Sequence, residues 1–129
     1  MLTIIAIAVL AGAQPATSSD DVFSARVQRA KMVEAGSTGP AYQKQFWAKI
    51  GNPMTDALKA CLASNAPADK SPFTLVADIS SDGHPLRVDV RAPTPVAKCL
   101  AGQFSAWTFP APPKLPDSAD YPIEIDVSM

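Results

Sequence analysis

The chain has 129 residues, with 11 Lys and Arg against 12 Asp and Glu and a formal charge of −1 at pH 7. So even a balance lacks the basic footprint that binding a nucleic-acid backbone requires, and at 47% hydrophobic and 18% charged residues the composition is that of a folded domain. One His and two Cys are too few for a structural zinc site.

The amino end is expected to be removed. Leu2 to Ala11 is uncharged and apolar, and Ala11-Gly12-Ala13 puts small residues where a signal peptidase reads them. A signal peptide over residues 1–13, cleaved before Gln14, sends the remainder to the periplasm or out of the cell. The run is shorter than the ~20 apolar residues that cross a bilayer, so the mature chain is not expected to be embedded in a membrane. In an oxidising compartment Cys61 and Cys99 are expected to form a disulfide. A redox or nucleophilic cysteine would want a C-x-x-C pair or a His partner, and the single His, His84, stands beside Pro85 in an apparent turn.

After a short polar leader, Ser19 or Asp20 caps a helix from about Asp21 to Ala35, with Phe23, Val27 and Ala30 at helical spacing and Gly36 as its stop. Ala41 to Ile50 forms a second short helix, carrying Tyr42, Phe46 and Ile50 on one stripe. Asn52-Pro53 opens a third, running to about Asn65, in which Met54, Leu58, Cys61 and Leu62 share a face. The period then drops to two. Phe73, Leu75, Ala77 and Ile79 alternate with Thr74, Val76 and Asp78, Ser80 to Gly83 turns the chain, and Leu86, Val88 and Val90 alternate with Arg87, Asp89 and Arg91, which is a β-hairpin. Thr94-Pro95 caps and opens another helix with Val96, Cys99, Leu100 and Phe104 inward. Phe109 to Pro116 contains four prolines and connects irregularly to a last strand, Tyr121 to Val127.

These elements define an α+β domain of two layers: a three-stranded antiparallel sheet with helices on one face, its helix-strand-strand-helix-strand core preceded by two short helices. The first strand lies in the centre and the other two are edges. Cross-strand ion pairs are expected on the wet face among Asp78, Asp89, Glu124, Asp126, Arg87 and Arg91. Residues 14–52 form an N-terminal helical extension and 53–129 the domain proper.

From Met54 to Met129 the chain resembles the TonB C-terminal domain superfamily, and above all its disulfide-bearing relatives at the ends of bacterial gliding-motility proteins. The resemblance rests on Cys61, the stretch FTLVADISSDG from Phe73 to Gly83, the partner strand LRVDVRA, Cys99, WTFP from Trp107 to Pro110, and YPIEIDV from Tyr121 to Val127. Thr108 stands where such proteins often carry a basic residue, and Asn52-Pro53 where they often carry Tyr-Pro. The resemblance implies the fold, the periplasm and capture of an extended peptide along the final strand, with Ile123, Glu124, Ile125 and Asp126 as its contact positions. It does not carry over energy transduction, which needs a retained membrane anchor and a long spacer.

No Gly-rich phosphate loop, nucleophile elbow or H-E-x-x-H is present in the sequence, so neither a catalytic residue, a cofactor nor a metal is expected. The expected function is a non-enzymatic binding module for an envelope protein or peptide. Its alternatives are an inhibitor or immunity protein that plugs a secreted enzyme with the Phe109 to Pro116 segment, and a homodimer joined through strand edges.

Overall fold

The computed structural model describes residues 18–129, so the expected signal peptide lies outside the described residues. Three helices and three strands follow in the order α1 (Ser19–Glu34), α2 (Gly39–Ser64), β1 (Phe73–Ile79), β2 (Pro85–Arg91), α3 (Pro95–Phe104) and β3 (Tyr121–Val127). The sheet is antiparallel with the order β2-β1-β3, as the alternating apolar faces require. The α+β class and the central first strand are found as expected.

Local signals set the boundaries. The Ser18 hydroxyl caps α1 by accepting from the Asp21 amide at 3.1 Å, one position ahead of the expected cap. Thr94 does the same for α3 through the Ala97 amide, with Pro95 in the first turn, where its missing N–H costs nothing. The hairpin closes through Gly83, whose φ of 87° favours glycine. A Cβ at Gly83 would also overlap the Phe109 carbonyl oxygen, because the Phe109 amide donates to the Gly83 carbonyl at 2.9 Å and draws the connector onto the turn.

Two features differ from the sequence reading. The helices expected over 41–50 and 53–65 are one helix of 26 residues, with Pro53 inside it, so the domain border expected between 52 and 53 falls within α2. An interior proline costs about 3 kcal/mol. Tyr42, Phe46, Ile50, Met54, Ala57 and Cys61 nevertheless form one unbroken buried stripe, and at roughly 1.5–3 kcal/mol for each large apolar side chain their burial outweighs that cost.

The second difference concerns α1. Phe73, Leu75, Ala77 and Ile79 point into the main core with α2 and α3. Helix α1 covers the other face instead: Arg26 reaches Asp78, Arg91 reaches Asp20, and Val76, Phe23 and Ala30 are buried apart from the main core. The expected two layers with all helices on one side thus become three, α1 on one face and α2 with α3 on the other. A wet sheet face would have left Val76 exposed, and α1 removes it from water.

Candidate functional site

The chain must pass from one face of the sheet to the other between Glu34 and Gly39, and it does so around the outer edge of β3. Burial pushes the Glu34 carboxyl above its usual range, and a hydrogen bond from the Glu124 amide pulls against that rise, so the end of α1 sits at the β3 edge. Gly39 permits this tight corner, since a Cβ there would collide with the Glu34 backbone.

Register then determines what the edge offers. Tyr121, Ile123, Ile125 and Val127 pair with Ile79, Ala77, Leu75 and Phe73 of β1. Backbone N–H and C=O groups alternate in direction along an antiparallel strand, and the Glu124 amide points outward to Glu34. Pro122, Glu124 and Asp126 therefore present their main-chain groups to the outside. Pro122 has no N–H and Glu34 stands beside the Glu124 amide, which leaves Asp126 as the outward position beyond the corner.

Of the four contact positions expected on this strand, Ile123 and Ile125 are buried in the main core and their side chains are not offered to a partner. Asp126 is exposed, and its Oδ1 accepts from the Thr74 hydroxyl at 2.7 Å. Glu124 is half-buried, and its Oε2 makes no hydrogen bond among the described residues. Burial, and then the neighbouring charges of Asp126 and Glu34, push its carboxyl up to about 7. Sequence reasoning missed Glu34 as a partner of this edge, because only the crossing of α1 over the polar face brings the two together.

The arginines gather at the other end of that face. Arg87 sits at a β-bulge opposite β1 with a φ of 51°, a left-handed conformation costing a side chain about 1 kcal/mol or more. From there its guanidinium bonds Asp78 at 2.7 Å and Asp120 at 2.6 Å. Arg91 pairs with Asp89 at 3.1 Å on its own strand and with Asp20 of α1 at 3.2 Å. The expected pairing of Arg87 with Asp78 is present, whereas Glu124 and Asp126 face α1 and not these arginines. The β2 edge is closed at Val90, whose amide donates to Asp89 Oδ1 and whose carbonyl accepts from Arg91 Nη1, so charged side chains blunt it.

Cys61 and Cys99 form the expected disulfide, with Cα atoms 5.7 Å apart, joining α2 to α3. His84 is exposed on the hairpin turn, with Nε2 3.6 Å from Asp82 Oδ2. The proline-rich connector is held down: Phe109 is buried and stacks on Phe46, and the Tyr42 hydroxyl donates to the Pro110 carbonyl at 2.9 Å. Among the described residues no helix is long and apolar enough to cross a membrane, and no group of three His, Cys, Asp or Glu side chains is placed to hold a metal ion. Comparison of the chain with protein-family models, with curated proteins and with solved structures returns no match.

Proposed function

We propose that the chain is an exported, non-enzymatic binding module of TonB C-terminal-like fold that engages an envelope protein or peptide in the periplasm or outside the cell. The disulfide between α2 and α3 supports the compartment, because such bonds persist where the surroundings are oxidising. The observation that carries the binding role is the exposed position of Asp126 near the end of the edge strand β3, where the register turns its main chain away from β1. An extended partner adds there as a short strand and continues past Ser128, with its N–H and C=O groups meeting those of Asp126.

The test separates main chain from side chain. Asp126→Pro removes the outward N–H and spares the ladder to β1, whereas Asp126→Ala keeps it. Capture of a binding partner from an envelope extract by the oxidised protein should survive in the alanine variant and be lost in the proline variant. Equal capture by both removes strand addition at this edge. Protection of the Asp126 amide from hydrogen exchange by raising the protein concentration alone would mean that the edge pairs with a second copy.

A further inference from the structure

Between the middle of α2 and the segment that follows α3 lies a cleft of about 390 Å³, lined by Lys49, Ile50, Pro53, Ala106, Trp107 and Thr108. Its apolar walls are held from beneath. Ile50 is buried in the main core, and the half-buried Trp107 indole leans on the fully buried Phe104 ring, with 5.8 Å between the ring centres. The Trp107 amide donates to the Phe104 carbonyl at 3.2 Å, which fixes the turn that carries the indole. An indole and the Pro53 ring thus border one slot, the first half-buried and the second exposed.

Two polar groups of Lys49 lack their usual partners there. In an α-helix each carbonyl accepts from the N–H four residues on. For Lys49 that residue is Pro53, which has no N–H, so the carbonyl loses its helical donor. Because Pro53 is exposed, little packing of its own offsets its cost in a helix interior, and its effect on the cleft is the acceptor it leaves open. The second group is the ammonium: Lys49 Nζ lies 3.5 Å from the Thr108 hydroxyl and forms no ion pair among the described residues. No carboxylate lines the cleft, and Asp56, the one acid of α2, stands about two turns further along the helix. The slot therefore carries one positive charge with no counter-charge in its lining.

We propose that this cleft takes the carboxyl terminus of a peptide that ends in an aromatic residue. The terminal carboxylate meets Lys49 Nζ beside the Thr108 hydroxyl, the last amide N–H donates to the Lys49 carbonyl, and the ring lies against the Trp107 indole and the Pro53 ring. Capture of a chain end by its carboxylate is one of the recurring modes of peptide recognition. The volume is at the small end of ligand sites, about 300–1,000 Å³, which suits one residue and its flanking amide. The site shares no residue with the β3 edge, so it stands or falls separately from strand addition there.

The test is a nuclear magnetic resonance titration of the oxidised protein with N-acetyl-L-phenylalanine at fixed ionic strength. The Trp107 indole N–H signal should shift saturably, while that of Trp47, which does not line the cleft, holds its place. N-acetyl-L-phenylalaninamide, which lacks the carboxylate, and 3-phenylpropionate, which lacks the amide N–H, should each bind several-fold more weakly. Lys49→Gln should weaken binding about tenfold without lowering the melting temperature, since that side chain is exposed. Pro53→Ala supplies the missing N–H to the Lys49 carbonyl, so it should raise the melting temperature and yet weaken binding several-fold. No saturable shift at Trp107, an amide that binds as tightly as the acid, or affinity unaltered in Lys49→Gln or in Pro53→Ala would each overturn the assignment.

Discussion

Glu124 stands on β3 with one buried carboxyl oxygen unpartnered among the described residues and with Glu34 and Asp126 as its acidic neighbours, relieved only in part by Lys31 of α1. Its carboxyl is pushed from 4.5 up to about 7, mainly by burial. The folded state therefore holds a proton on Glu124 that the unfolded chain has already lost between those two values. The associated stability is complete below pH 4.5 and is lost as pH rises through about 7. Glu34, raised for the same reason, adds in the same direction. Glu124→Gln should thus match the parent near pH 4 and exceed it at pH 8 by about 1 kcal/mol, discounted for solvent screening, or roughly 4 °C in melting temperature. Melting curves of both proteins across that range check this; parallel curves would show that Glu124 ionises as freely in the fold as outside it.

Among the elements, α1 is the least firmly seated. Its buried residues are Phe23 and Ala30, Val33 packs partly buried against the main core, and polar links add to these: Arg26 to Asp78, Arg29 to Asp117, Asp20 to Arg91, and the Arg91 guanidinium 5.3 Å from the centre of the Phe23 ring. A segment with few apolar contacts opens at low free energy while its neighbours stay closed. Phe23→Ala, which removes about 3 kcal/mol of burial, should release α1 without unfolding the sheet. Trypsin would then cut after Arg26, Arg29 or Lys31 while amides of β1 stay protected from exchange. Simultaneous loss of β1 protection would make α1 integral to the core. By contrast Leu100→Ala, at a fully buried core position of α3, should lower global stability by about 2–5 kcal/mol.

The same weak anchoring explains what the sequence left hidden. The strands were legible because a period of two admits one buried face, and the α3 cap because Thr94-Pro95 has few other uses. The side of the sheet that α1 covers was not, since a helix with two buried positions carries almost no amphipathic signal. Val76 was the available clue, an apolar residue on the otherwise polar face of β1. Pro53 misled in the opposite way: a strong local stop signal was overridden by a buried stripe that runs through it at helical spacing. At the β3 edge, the outer position of the strand was readable, but its occupation by Glu34 depends on the three-dimensional corner at Gly39.

For the molecule as a whole, the disulfide divides the chain into a closed loop and two free ends. The loop between Cys61 and Cys99 spans 38 residues and contains the end of α2, the whole β1–β2 hairpin and the start of α3, while α1 and β3 lie outside it. A cross-link of that span removes entropy from the unfolded chain worth about 4 kcal/mol in the chain-entropy model, a large share of the ~5–15 kcal/mol typical of a domain. Replacing both cysteines by serine should therefore lower unfolding free energy by about 2–4 kcal/mol. Because β1 is the central strand and pairs with β3 as well as β2, the loss should appear in the sheet as one transition and not as separate melting of the hairpin. Urea unfolding followed both by far-ultraviolet circular dichroism and by the fluorescence of Trp47 and Trp107, which lie in α2 and just after α3, checks this. Coincident midpoints, shifted together in the serine variant, are expected. Separated midpoints would mean that the α2–α3 layer and the sheet are independent units held together chiefly by the two sulfurs.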